Sequence, residues 1–233
     1  MAQGQTLGDP AQNGQTPPGV PEGVDLEEVD RASRTRLFVG RGRDRPRDGQ
    51  LPYGLQMTNL IPVARQSDIL DAYRETPVGR LLEYHNLGRP FEAGDPELLI
   101  GMCMDSRKSL RVPPDFAFVL RTAGANMRDN EFRISYAVAI GGVRTIVLIA
   151  HTDCGMKRVA GLHDAFVRGL VDHAGWAPAN AERLYAEGVP KFGIIDEVEF
   201  VMQEADRLRA LYPRLTVAPL LYRVEDDLLY QLA

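Results

Sequence analysis

The chain has 233 residues with 44% hydrophobic and 25% charged side chains, which suits one substantial folded domain with an appendage and excludes wholesale disorder. A formal net charge of −5 gives no global argument for nucleic acid or an anionic membrane as partner. The longest apolar stretches, such as Thr145–Ala150, fall far short of the roughly 18 residues needed to span a bilayer, and no positive start followed by an apolar core marks a secretory signal, so a soluble cytoplasmic protein is expected.

The first fifty residues differ in kind from the rest. Positions 1–30 are rich in Gly, Pro and Gln and carry acidic residues with no Lys or Arg; positions 31–50 then carry seven Arg against Asp44 and Asp48. Such a segment cannot bury a core, and residues 1–50 are expected to form a disordered polar tail, either a plain solvated extension or a tether for an unknown partner. Globular patterning begins at Leu51.

Ser67 is placed to cap a helix through Tyr73, and Thr76-Pro77 opens a second that Gly88 closes, with Val78, Leu81, Leu82 and His85 at helical spacing. Glu97–Met104 and Phe116–Arg121 read as strands. Glu131–Ile140 reads as a helix, with Phe132, Tyr136 and Ile140 on its apolar side and Gly141-Gly142 as its stop. Thr145–Ala150 is a third strand, buried on both faces. Met156–Leu211 is helical, with breaks at Gly175 and Gly188–Pro190; its last helix presents Ile194, Val198, Val201, Met202, Ala205, Leu208 and Leu211 to a core. Leu215–Tyr222 and Leu228–Leu232 are strands joined through a turn at Glu225–Asp227. Strands alternating with helices imply an α/β fold, a mostly parallel β-sheet flanked by helices.

In such sheets ligands lie beyond the carboxyl ends of the strands, and two polar clusters stand there. The first strand runs into Cys103-Met104-Asp105-Ser106-Arg107, and the third into His151-Thr152-Asp153-Cys154-Gly155. A chain that stays extended past Cys103 would carry 103, 105 and 107 on one side. Cys103 and Cys154 are the only cysteines. Two thiolates and an imidazole suit Zn²⁺ with a fourth position left for water or substrate; a disulfide between the cysteines is the competing reading. A helix starting at Cys154 would also stabilise its thiolate.

These motifs, C-M-D-S-R at 103–107 and H-T-D-C-G at 151–155, resemble the two signatures of the β-class carbonic anhydrases. The similarity continues over Phe116–Asn126, Ser135–Gly142 and Leu220–Tyr230, and so covers roughly 97–232. It implies zinc ligation by Cys103, His151 and Cys154, an Asp105–Arg107 carboxylate–guanidinium dyad, and a homodimer or higher homo-oligomer with sites near the subunit boundary. The helices at 67–87 are the expected contact. The reaction implied is CO₂ + H₂O ⇌ HCO₃⁻ + H⁺, by zinc-bound hydroxide. By the same resemblance, Asp105 would accept the hydroxide's hydrogen bond and become a fourth zinc ligand only in a closed state. Members that close use a Trp three residues before the first zinc cysteine; Ile100 stands there, so an open site is expected.

The chain departs from the family pattern in a short 108–115 loop, in A-G-A-N at 123–126 and in the helical block 157–211, all of which bear on the pocket. Two other functions use the same scaffold: hydrolysis of carbonyl sulfide or carbon disulfide, and a non-catalytic zinc-stabilised binding module. A zinc alcohol dehydrogenase also uses two Cys and a His, but no G-x-G-x-x-G accompanies them here. His85 is expected as a core or dimer-contact residue, His163 and His173 at the surface, and Trp176 in packing.

Overall fold

The computed structural model describes residues 59–233, so the expected tail at 1–50 and the first globular residues lie outside the described part. A six-stranded sheet runs in the order β1 (Leu60–Ile61), β6 (Leu228–Leu232), β5 (Thr216–Arg223), β4 (Thr145–His151), β2 (Leu98–Cys103), β3 (Ala117–Thr122). The pairings from β3 through β5 are parallel, while β6 and β1 add on antiparallel. Every residue of β2 and β4 is buried, as expected for central parallel strands covered on both faces.

One face packs on α1 (Pro77–Leu87). Leu98, Ile100 and Met102 of β2 meet Val78, Leu81 and Leu82 of α1 there, with Tyr222 and Leu229. The helix starts where Thr76 Oγ1 accepts from Gly79 N–H and Pro77 supplies a preset φ. It stops at Gly88, whose φ of 67° is the left-handed conformation that Gly reaches without strain. The other face packs on α2 (Glu131–Ala139) and α5 (Glu197–Leu211), joining Leu99, Ile146 and Leu148 to Ile134, Ala137, Val201, Ala205 and Leu208. Between β4 and α5 lie two further helices, α3 (His163–Ala174) and α4 (Pro178–Phe192).

Four local expectations need correction. Ser67 caps no helix: Gln66–Asp68 is a single 3₁₀ turn, because the Asp68 carboxylate takes the N–H groups of Ala64 and Arg65 and closes the turn on itself. α4 runs through Gly188 and Pro190 to Phe192. A proline two residues from the helix end removes little of the hydrogen-bond ladder, and the chain breaks instead at Gly193–Asp196, where Asp196 caps α5 through Val198 and Glu199 N–H. In α2 the residues facing the core are Ile134 and Ala137, whereas Phe132, Tyr136 and Ile140 are exposed, Phe132 by 85%. Their helical spacing is real but marks the outer face. Trp176 is exposed by 41% rather than packed.

The apolar side of α1, expected at a subunit boundary, is occupied by the chain's own sheet. His85 on the same helix is buried, with Nδ1 accepting from Arg111 N–H at 3.1 Å and Nε2 facing the Asp227 carbonyl at 3.0 Å. Among the described residues no helix is long and apolar enough to cross a membrane.

Candidate metal centre

Parallel register brings the two motifs together. β2 ends at Cys103 and its neighbour β4 ends at His151, so both side chains stand at the carboxyl edge of the sheet. After His151 a turn through Asp153, at φ 54°, folds Cys154 back toward them. The ligating atoms of Cys103, His151 and Cys154 all lie within 4.8 Å of one another, and all three residues are buried. Ile194 and Phe200, with Met156, cover the sulfurs. Both cysteines are free thiols, so the disulfide reading does not hold.

The chemistry of this donor set fits a metal. His151 Nδ1 is 2.8 Å from the Thr152 carbonyl, which makes it the N–H side of the ring. Nε2 is then a bare acceptor, buried and without a hydrogen-bond partner. Leaving such an atom unmatched costs about 1–3 kcal/mol, which a cation would offset. The neighbouring Cys154 thiol, then His151 and the backbone N–H groups of Asp105 and Gly124, hold the Cys103 thiolate well below the usual thiol range against the opposing effect of burial. Cys154 is driven up by that same neighbouring thiolate and by burial. Two soft donors that repel each other when both ionised, beside an imidazole nitrogen, form a ligand set for a borderline-soft divalent ion. The expected helix at Cys154 is absent: Gly155–Lys157 and Val159–Gly161 are short 3₁₀ turns and supply no helix terminus.

The chain does not stay extended past Cys103. Ser106-Arg107 turns, and Arg107 N–H donates to Asp105 Oδ1 at 2.9 Å. It is this turn, not strand alternation, that lays the guanidinium on the carboxylate, with Nε at 3.1 Å from Oδ1 and Nη2 at 2.7 Å from Oδ2. The pairing holds the Asp105 carboxyl well below the usual carboxylate range. Asp105 Oδ2 lies 4.0 Å from His151 Nε2, at the rim of the donor cluster.

Several residues of the site were not singled out from sequence. Asp153 takes Arg107 Nη1 at 2.8 Å on its carboxylate and Nη2 at 2.9 Å on its carbonyl, so Arg107 bridges the two motifs; Arg158 holds the carboxylate's other oxygen. The motif H-T-D-C-G contained the signal, since a carboxylate beside a ligand is a natural partner for the other motif's guanidinium. Arg121 reaches from β3 to the carbonyls of Cys103 and Lys108. Lys108 is buried, which nothing in its sequence position announces. His163 and His173 are exposed and lie in α3, outside this cluster.

Residues 98–204 match the family model described as carbonic anhydrase. A carbon disulfide hydrolase of Acidianus sp. is 39% identical over 64 residues, 25% of this chain and 31% of that protein. Beta-carbonic anhydrase 1 of Mycobacterium bovis is 32% identical over 97 residues, 40% of this chain and 58% of that protein, so the chain matches only part of the length of either relative. The crystal structure of beta-carbonic anhydrase isoform I from Trichomonas vaginalis shares the fold, with a TM-score of 0.50 at 16% identity over 62% of this chain and 88% of that one. Over the strands that carry both motifs, the chain is thus similar to the β-carbonic anhydrases and to carbon disulfide hydrolases.

Proposed function

We propose that this protein is a zinc enzyme that hydrates CO₂ reversibly to bicarbonate. The observation that carries the reading is the convergence of two buried free thiols and an unpartnered imidazole nitrogen beside a carboxylate held by arginine. Cys103, His151 and Cys154 would hold the ion, leaving the fourth position to solvent or substrate. When bound, zinc supplies the Lewis acidity that makes water nucleophilic near neutral pH.

The chain's own residues supply orientation. Asp105 stays ionised because Arg107 holds it, and can accept a hydrogen bond from the attacking water, turning the oxygen lone pair toward the carbon. Arg107 also keeps Asp105 from swinging inward as a fourth ligand, since Asp153 anchors the guanidinium from the opposite side. With Ile100 buried on the other face of the sheet, no bulky side chain at that position pushes Asp105 inward, which supports an open site. Ile194 and Phe200 exclude water from the sulfurs.

A second reading is hydrolysis of carbon disulfide or carbonyl sulfide, favoured by similarity to the Acidianus hydrolase. A non-catalytic zinc module is disfavoured by the Asp105–Arg107 pair, which metal binding alone does not require. Free thiols suit a reducing cytoplasm. We take residues 1–50 as a tail outside the catalytic domain at 51–233, since they carry no residue of either motif, and expect its removal to leave the rate per zinc unchanged.

A second copy of the chain completes the assembly. Among the described residues β3 is an edge strand, and Val119 with Phe132 and Tyr136 of α2 and Ile140 just after it leaves an apolar face beside it. An edge backbone with an apolar flank is a template for the same strand of another copy.

Stopped-flow CO₂ hydration and sulfide release from carbon disulfide, each with and without a chelator, test the function. Chelator-sensitive hydration is the expected outcome. Sulfide release without hydration would establish the second reading, and neither activity from a zinc-loaded protein would leave the scaffold.

A further inference from the structure

Lys108 follows the C-M-D-S-R motif directly and is only 2% exposed. Its Nζ has no hydrogen-bond partner. Burying an ammonium without a partner is costly, and folds seldom retain one unless something answers it. The residue is also held in place. Arg121 donates from Nη1 to the Cys103 carbonyl at 3.3 Å and from Nη2 to the Lys108 carbonyl at 3.1 Å, so one guanidinium fixes both the strand end bearing a thiol and the residue bearing the ammonium.

Burial disfavours the charged form of Lys108 and holds it below the usual lysine range; Cys103, Asp105 and Cys154 favour the charge, and the Arg121 guanidinium opposes it. Loading the centre changes that balance. A divalent ion cancels the two thiolates, and Arg107 already matches Asp105. Beyond the sheet edge Arg158 matches Asp153. The charge of Lys108 would then stand uncompensated.

We propose that Lys108 is an anion-binding residue of the active site, whose buried ammonium retains a small monoanion beside the metal: bicarbonate, or the hydrosulfide that a sulfur analogue would release. The proposal rests on the zinc reading above and adds a specificity-determining residue to it. It also gives the short 108–115 loop a role, since that loop brings a lysine from the motif's edge into the interior.

The test is calorimetric titration of the zinc-loaded protein with bicarbonate and, separately, with thiocyanate as a soft monoanion, in wild type, Lys108→Met and Lys108→Arg. Zinc content and melting temperature are measured in each. Methionine suits a buried unbranched position, so Lys108→Met should fold and keep its zinc. Its affinity for at least one anion should fall about tenfold or more, the scale of one lost charge interaction at short range, while Lys108→Arg keeps most of it. A larger fall for bicarbonate assigns the oxyanion as occupant, and a larger fall for thiocyanate assigns the sulfur anion. Unchanged affinity for both in zinc-loaded Lys108→Met overturns the proposal alone, as does a variant that loses zinc but binds anions normally. A wild type that takes up no zinc overturns the metal reading, and this one with it.

Discussion

Replacing Cys154 with serine substitutes a hard, weakly acidic hydroxyl for one of two buried sulfurs, in a site with three protein donors. Cys154→Ser should therefore lose most of its zinc by metal analysis; full retention with normal activity would remove this site from consideration. Asp105→Asn keeps size and the three donors but removes the carboxylate charge that Arg107 stabilises. Zinc should stay while hydration slows by about 100-fold, the usual scale for one positioned catalytic group. His85 makes a different prediction. Its Nδ1 already accepts Arg111 N–H, so protonation there breaks a hydrogen bond inside the core, and burial with the nearby Arg111 charge lowers its pKa from 6.5 to about 4. The folded pKa lies below the unfolded one, so the unfolded chain binds the proton first as pH falls. The contribution is complete above pH 6.5, erodes between 6.5 and about 4, and amounts to about 3 kcal/mol at most. Denaturant midpoints across that window should fall in wild type and fall less in His85→Gln; parallel curves would show that another group governs the acid limb.

At the scale of elements, the site depends on how closely α2 and its preceding loop approach β2. Gly101 lies in the middle of β2, and a Cβ there would stand 2.8 Å from Met127 Sδ and 2.9 Å from a Leu148 methyl. Both neighbours are side-chain ends that can shift, so Gly101→Ala should cost about 1–3 kcal/mol rather than prevent folding. Because β2 delivers Cys103 two residues later, the strain should also weaken zinc retention under chelator challenge. A variant as stable as wild type would show that Met127 moves freely. Most elements were legible from periodicity and caps: Thr76-Pro77 and Gly88 bracket α1, and the apolar runs ending in Cys103 and His151 give β2 and β4. What periodicity could not tell was which side of α2 faces inward. Phe132, Tyr136 and Ile140 have the spacing of a core stripe, and only the packing of Ile134 and Ala137 against the sheet shows them to be the outer face.

At the scale of the whole molecule, that outer face is the surface proposed for assembly. With the apolar side of α1 committed to the chain's own core, the exposed residues beside edge strand β3 are where a second copy would bury most apolar area. Phe132→Asp should shift the protein toward monomer in light scattering while leaving its far-UV spectrum intact; a dimer unaffected by it would place the boundary elsewhere.

The identity and spacing of the donors were written in the sequence, because a thiol–carboxylate–guanidinium run and a histidine–cysteine pair each closed an apolar strand, and strand order in a parallel sheet puts such endings on one edge. The tertiary structure alone decided the rest. It made the Asp105–Arg107 pair from a turn rather than from alternation, set Asp153 as the second anchor of Arg107, and took Lys108 out of water. Those outcomes depend on which atoms of distant segments meet and what they exclude, and a hydrophilic residue's position in the chain carries no record of its burial.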